Sequence, residues 1–287
     1  MNNKTRSIDI KMSTGWKFIM AAIVLTAVSC SEDFLERKPK GQLTYDTFFE
    51  TQDHAVWATN AVYQQYRSWE MCAFPWIGIT DIISDDADKG STPNDALYVL
   101  ELDEFTFDGT NAAITGAWLG HYQAIFRANL AIENIPGIEM DSTLRARLIG
   151  EGRFLRAYAY FRLVQWYGDV PLITTILNDD QYYNQERTSK ELVYDFIETD
   201  LLAAIEALPE KDEYASADLG RVTKGAARGI LAKLYAVQHD FPKVIEQCDA
   251  IINSGEYSLP VSYTHLRAHE TVLDLVCRLL LEKKKNK

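Results

Sequence analysis

Apolar positions recur along this chain every three to four residues, and no segment alternates strongly in twos. That period predicts amphipathic helices. From Thr47 to Trp69, the positions Phe48, Phe49, Ala55, Val56, Thr59, Val62, Tyr63 and Tyr66 keep close to it. A second helical run extends from Ile114 to Ile135 and stops at Pro136-Gly137. Asp141 and Ser142 are suited to cap a long helix through Tyr167, ended by Gly168 and Pro171. Thr188 and Glu191 have capping-box spacing ahead of Leu192, Val193, Phe196, Ile197 and Leu201. Thr223 opens a helix to about Gln238. Asp240 with Pro242 opens the next, with Val244, Ile245, Cys248, Ile251 and Ile252 on one stripe and Gly255 just past its end. Cys248 on that stripe reads as a buried small hydrophobe. Tyr98 to Phe107 reads less clearly, as a strand or an extended loop.

The last two helices have a further character. Ala226, Ala227, Ala232 and Tyr235 face a tight turn at Asp240-Phe241, and Ala250 lies on the second helix. Small residues where two helices touch, with an aromatic near the turn, look like a tetratricopeptide unit. Such units stack because none buries its apolar face alone. The predicted fold class is all-α, built from tetratricopeptide-like helix pairs.

Charge divides the chain into three parts. The net charge is −12, but residues 1–29 and 261–287 each carry +3, which leaves −18 on the body from 30 to 260. An acidic body argues against nucleic acid, which needs a basic face to neutralise phosphates. No apolar run approaches the ~20 residues of a spanning helix, which excludes a multi-span membrane protein.

Each basic end has its own reading. Lys11 and Lys17 precede an apolar stretch from Phe18 to Val28, the arrangement of a signal peptide. Met12 would serve as its start equally well. The stretch ends in Ala27-Val28-Ser29 before Cys30, which resembles the lipobox of a bacterial lipoprotein with Ala27 where Leu is usual. Cleavage there would leave Cys30 as a lipid anchor. Ser31-Glu32-Asp33 resembles the surface-export signal of Bacteroidetes lipoproteins. At the other end, Val261 to Thr271 and the Lys-rich finish resemble the conceptual translation of a sequencing adaptor. The expected organisation is therefore 1–29 signal peptide, 30–260 helical domain, incomplete, and 261–287 a non-native tail. His265 and His269 with Glu270 lack the H-E-x-x-H order of a zinc-protease helix, so no metal is assigned there.

Several motifs in order carry a family resemblance. Cys30-Ser-Glu-Asp-Phe-Leu with Pro39 and Phe48-Phe49 comes first. Glu151-Gly-Arg-Phe-Leu-Arg-Ala-Tyr-Ala-Tyr-Phe-Arg-Leu-Val-Gln-Trp-Tyr-Gly-Asp-Val-Pro-Leu172 is the most specific. Arg187-Thr-Ser, Asp200-Leu with Ala204 and Leu208-Pro209, Gly220-Arg-Val-Thr-Lys-Gly-Ala-Ala227 and Ile252-Asn-Ser-Gly-Glu-Tyr-Ser-Leu259 follow. From Cys30 to Pro260 the chain resembles the SusD/RagB family of outer-membrane nutrient-binding lipoproteins, whose members are roughly twice as long. The resemblance implies a surface-exposed, non-enzymatic outer-membrane lipoprotein with no cofactor, which binds a glycan or similar nutrient. It also implies a partner, a SusC-like TonB-dependent transporter. The 30–260 fragment of such a fold is expected to expose apolar helix faces and, expressed alone, to be poorly soluble or molten.

Two kinds of charged and aromatic cluster compete for the binding role. Glu151, Arg153, Arg156 and Arg162 lie among Phe154, Leu155, Tyr158, Phe161 and Trp166 at helical spacing, and read as a packed helix with ion-paired flanks. Trp69 to Tyr98 reads instead as an irregular, loop-like stretch. It carries Trp69, Trp76, Asp81, Asp85, Asp86, Asp88, Asn94 and Tyr98. Aromatic faces stack on sugar C–H patches, while carboxylates and amides take the hydroxyls, so these are the candidate ligand-binding residues. Asp86-Ala-Asp88-Lys-Gly90 departs from an EF-hand loop because Leu97 stands at position 12, and no metal is assigned. Two alternatives remain open: a helical-repeat scaffold that binds protein, and a secreted glycoside hydrolase. The latter needs two carboxyl groups astride the bond, which neighbouring aspartates supply poorly.

Overall fold

The computed structural model describes residues 48–92 and 94–258. The expected signal peptide, Cys30, the acidic run after it and the tail with His265 and His269 lie outside the described residues. The described helices belong to a unit that begins at Phe49.

Local capping signals set most helix starts. Helix α1 spans Gln52–Tyr66, and its Thr51 cap accepts from the His54 amide. Two short helices follow, α2 (Trp69–Cys72) and α3 (Phe74–Ile77), then a π-helical turn at Gly78–Ile82. Helix α4 covers Leu97–Asp103. The long α5 (Ala112–Asn134) runs into a 3₁₀ turn at Ile135–Gly137. Helix α6 spans Ser142–Tyr167, with the Asp141 carboxylate accepting from the Leu144 amide at 2.7 Å. Gly168 ends it at φ 70°, a conformation that favours glycine. Short α7 (Asp179–Tyr182) precedes α8 (Lys190–Ala207), α9 (Lys224–Val237) and α10 (Phe241–Ser254). Thr223 and Asp240 cap the last two, and Gly255 closes α10 in the left-handed region.

Four expectations are corrected. Tyr98–Phe107 is helical over Leu97–Asp103, because Val99 and Leu102 sit three apart and bury together. Thr188 and Glu191 form no capping box. The Thr188 backbone pairs instead with Val170, the cap position falls on Ser189, and the Asp169 carboxylate accepts from the Lys190 amide at 2.9 Å. Cys248 is half-buried, not buried, and Ala226 is exposed.

Packing follows chain order. α5 lies on α6, α6 on α8, α8 on α9 and α9 on α10, while α1 covers α5 and α6. Contact chiefly between sequence neighbours is the logic of stacked helix pairs. Tyr160, Phe161, Leu163, Ile197, Leu201, Leu231 and Leu234 fill the centre. Tyrosine hydroxyls tie the layers together. Tyr122 donates to Pro171 O at 2.8 Å, Tyr160 to Ile173 O at 2.9 Å and Tyr167 to Ile114 O at 2.6 Å. Burial raises all three phenols above their ordinary pKa, so they remain donors.

The signature helix α6 is ion-paired as its sequence suggested. Arg156 binds Asp200 of α8 and also reaches Asn129 Oδ1 at 2.7 Å. Glu151, fully buried, sits 2.8 Å from Arg221 and 3.3 Å from Arg147. At the end of the stack, α10 leaves Phe241, Ile245 and Ile252 58–69% exposed. Among the described residues, no helix is long and apolar enough to cross a membrane.

Candidate ligand-binding surface

The segment from Trp69 to Tyr98 is less irregular than its composition suggests, because its first part folds onto α5. Met71, Pro75, Gly78 and Ile82 are buried at helical spacing. Gly120 of α5 permits the approach: a β-carbon there would lie 2.8 Å from Met71 Cγ and 2.9 Å from Glu70 Cβ. The remainder, described over 83–92 and 94–96, is a loop that leads back to α4. Asn111 anchors that return. Its side chain caps α5 by accepting from the Ala113 amide and donates at 2.8 Å to both Tyr98 O and Glu101 Oε2. The Lys89 amide donates to Asp103 Oδ2 at 3.3 Å, which ties the loop to the end of α4.

Between these pieces lies a cavity of about 430 Å³. Buried Ile82 and Val99 contribute apolar surface, and Phe74, Lys89, Ser91, Asp95 and Tyr98 line it too. Phe74 is 54% exposed, which leaves most of its ring available. Burial and the neighbouring Asp95 push the Tyr98 phenol above its ordinary pKa, so it stays protonated and able to donate. Ala96 turns into α4 at φ 44°, a strained conformation for a residue with a β-carbon, at the wall of this cavity. Aromatic faces beside a few polar groups in a concavity of this size suit a small polar ligand with apolar faces.

The predicted residues divide into three groups. Tyr98 lines the cavity. Asp81, Asp85, Asp86, Asp88, Asn94 and Trp69 are exposed around the same segment, and Trp69 is 49% accessible. Trp76 is engaged elsewhere. The Arg162 guanidinium lies 5.0 Å over its ring, and Trp166 meets it edge-on at 5.4 Å. Phe74, Lys89 and Asp95 were not among the sequence candidates. Phe74 stands two residues from Trp76, a proximity that could have flagged it. Lys89 and Asp95 become partners only when the loop folds back, which spacing does not reveal.

A second cavity of about 290 Å³ lies between α5 and the 173–182 segment, lined by Leu119, Tyr122, Phe126, Asn129 and Tyr182. Its Asn129 is already committed, donating to Ile173 O and Thr175 O and accepting from Arg156. It is therefore nearly all apolar and offers less to a polar ligand. No group of three His, Cys, Asp or Glu side chains among the described residues is arranged to hold a metal ion.

Helix pairs stacked in chain order carry on their loops a concavity lined by Phe74, Lys89, Asp95 and Tyr98. Residues 33–236 match a family model described as SusD-like, starch-binding and associating with the outer membrane, and the chain belongs to that family. A SusD-like protein of Bacteroides ovatus is 31% identical over 223 residues, 76% of this chain and 38% of that protein. A SusD-like protein of Formosa agariphila is 28% identical over 243 residues, 83% of this chain and 46% of that one. Among solved structures, a laminarin-binding SusD-like protein aligns with TM-score 0.63 at 28% identity, over 70% of this chain and 43% of that one. A SusD-like protein of Bacteroides fragilis gives 0.64 at 26% identity, over 78% and 42%. The chain spans about half the length of the curated relatives it matches.

Proposed function

We propose that this protein binds a glycan at the cell surface and passes it to a SusC-like TonB-dependent transporter, without catalysing a reaction on it. The observation that carries the reading is the family match over residues 33–236. Similarity to a laminarin-binding SusD-like protein supports it. The pocket between Phe74, Asp95 and Tyr98, with Trp69 exposed nearby, is the proposed ligand surface. Asp81, Asp85, Asp86 and Asp88 supply hydroxyl-accepting carboxylates around it. Cys30 is the proposed lipid anchor that holds residues 30–260 at the outer membrane.

Native electrophoresis of the full chain in gels containing single polysaccharides tests the reading. Retardation by at least one polymer, with no sugar released on incubation, is the expected result. Released product would favour the hydrolase. A positive transporter pulldown without retardation by any polymer would favour a protein-binding scaffold.

A further inference from the structure

The cavity between α5 and the 173–182 segment has a built frame. Polar side chains strap residues 171–176 across α5 and α6. Tyr160 Oη accepts from the Ile173 amide at 2.7 Å and donates to Ile173 O at 2.9 Å. Asn129, fully buried, donates to Ile173 O and Thr175 O at 3.2 and 3.0 Å. Arg156, itself held by Asp200, donates to Thr174 O at 3.0 Å, and the Ile176 amide donates to Glu133 Oε1 at 2.8 Å. These bonds occupy polar groups that would otherwise bind water beside the cavity. No charged side chain lines it, although the chain is acidic overall. Ile125 is buried at its inner side, while Leu119, Phe126 and Tyr182 are 41–53% exposed at the rim. Gln123 and Thr175 bring an amide and a hydroxyl to that rim.

We infer that this cavity is a second ligand site and that it takes one uncharged aromatic ring system of about indole size. Size, charge and polarity each narrow the occupant. An apolar cavity of ~150 Å³ suffices for one benzene ring. The volume here, about 290 Å³, admits a fused pair. A charged group buried there would lose its hydration and meet no counter-charge in the lining. A sugar would turn most of its hydroxyls toward hydrocarbon, which is also costly. An aromatic ring meets Phe126 and Tyr182, where ring–ring contact adds to burial. An N–H or O–H on its edge finds the Gln123 amide or the Thr175 hydroxyl. The two cavities share no lining residue, so this site does not depend on the glycan reading.

Fluorine NMR of fluoroindole titrated with the full chain tests this. The expected result is saturable binding with a midpoint of about 1 mM or lower, within reach of a small ring. Phe126→Ala and Tyr182→Ala each remove a rim ring at an exposed position, and each should weaken binding roughly tenfold. Leu192→Ala, exposed on α8 and outside both cavities, should leave it unchanged. A carboxylate of the same fluoroindole should bind at least roughly tenfold more weakly than the neutral ring. Circular dichroism checks that each variant keeps its helices. Should one of the rim variants lose them, the other and the carboxylate still decide. No saturation by about 5 mM overturns the inference. Equal binding by the unaltered protein and every variant also overturns it, because that marks uptake on exposed apolar surface. Equal binding of the carboxylate does the same, because a neutral lining would then select nothing. Polysaccharide retention enters none of these outcomes, so failure here leaves the glycan reading intact.

Discussion

Arg156 holds Asp200 through two hydrogen bonds of 2.8 and 2.9 Å, with both side chains buried, and so fastens α6 to α8. The same guanidinium reaches Asn129 of α5 and the Thr174 carbonyl. One side chain therefore joins three helices and the segment that leaves α6. Asp200→Ala would leave a buried cation with half its partners. A loss of about 3–5 kcal/mol is expected, because an uncompensated buried charge is far costlier than the intact pair is favourable. The double variant Arg156→Met/Asp200→Leu should lose much less than the two single changes added together. Urea unfolding of the unaltered protein, Asp200→Ala, Arg156→Met, Asp200→Leu and the double variant checks this, and additive losses would contradict it.

His121 makes the fold sensitive to acid. Its ring is fully buried, Nδ1–H donates to Ala117 O at 2.7 Å, and Trp166 packs edge-on at 5.2 Å. Burial, with Arg162 nearby, lowers its pKa from 6.5 to about 4. A base depressed in the fold is protonated more readily in the unfolded chain. Its contribution is therefore complete above pH 6.5 and lost as pH falls toward 4, by about 3 kcal/mol. Buried Glu151 acts in the opposite sense, since burial raises its pKa and ionisation costs the fold as pH rises through it. Melting temperatures from pH 7 to 4.5 should fall less steeply for His121→Gln than for the unaltered protein. Parallel curves would remove His121 as a cause.

Much of this architecture is legible in the sequence because caps are local. Asp141, Thr223 and Asp240 each bond an amide three residues on, and Gly168 and Gly255 take the positive φ expected past a helix end. The Thr188 prediction fails because Val170 and Asp169, some twenty residues earlier, capture that backbone first. The charged residues of α6 are recognisable as structural, but their partners Asp200 and Arg221 are not, since those contacts bridge 44 to 70 positions. The pocket is only partly readable for the same reason. Tyr98 announces itself by type, whereas Lys89 and Asp95 acquire meaning when 83–96 folds back toward Phe74.

The turn between α9 and α10 carries strain that a substitution can relieve. His239 adopts φ 60°, a left-handed conformation unfavourable for a residue with a β-carbon. His239→Gly removes that cost and forfeits some unfolded-chain entropy, for a net gain of about 0.5–1 kcal/mol. Among the described residues its one ring–ring contact is with Phe241, at 6.1 Å, which is itself 58% exposed, so little packing is lost. A raised urea midpoint with an unchanged slope is the expected signature. A lowered midpoint would show that this ring contact outweighs the strain.

The outer face of α10 should govern solubility. Phe241, Ile245 and Ile252 lie 58–69% exposed on one amphipathic helix, and neighbouring apolar residues of that kind promote association. Ile245→Lys with Ile252→Glu replaces two of them by opposite charges at positions that touch little else. Light scattering at increasing concentration should show delayed association for the double variant, with its helical circular dichroism unchanged. Identical scattering would acquit this face.

Trp69 and Trp76 should fail in different ways when truncated. Trp76 is wedged between Arg162 and Trp166, so Trp76→Ala removes packing and is expected to cost about 3 kcal/mol of stability. Trp69 is half exposed on α2, and among the described residues its ring makes no close aromatic or cation contact. Trp69→Ala should leave the melting temperature within about 2 °C, since exposed positions contribute little to stability. Polysaccharide retention should nonetheless fall about tenfold if its face stacks on sugar, a loss near 1.4 kcal/mol. Tyr98→Phe offers an independent arm, because it deletes one donor at the pocket wall and keeps the ring. Unaltered retention in both Trp69→Ala and Tyr98→Phe, with a polymer that the unaltered protein retains, would move the ligand surface away from this segment.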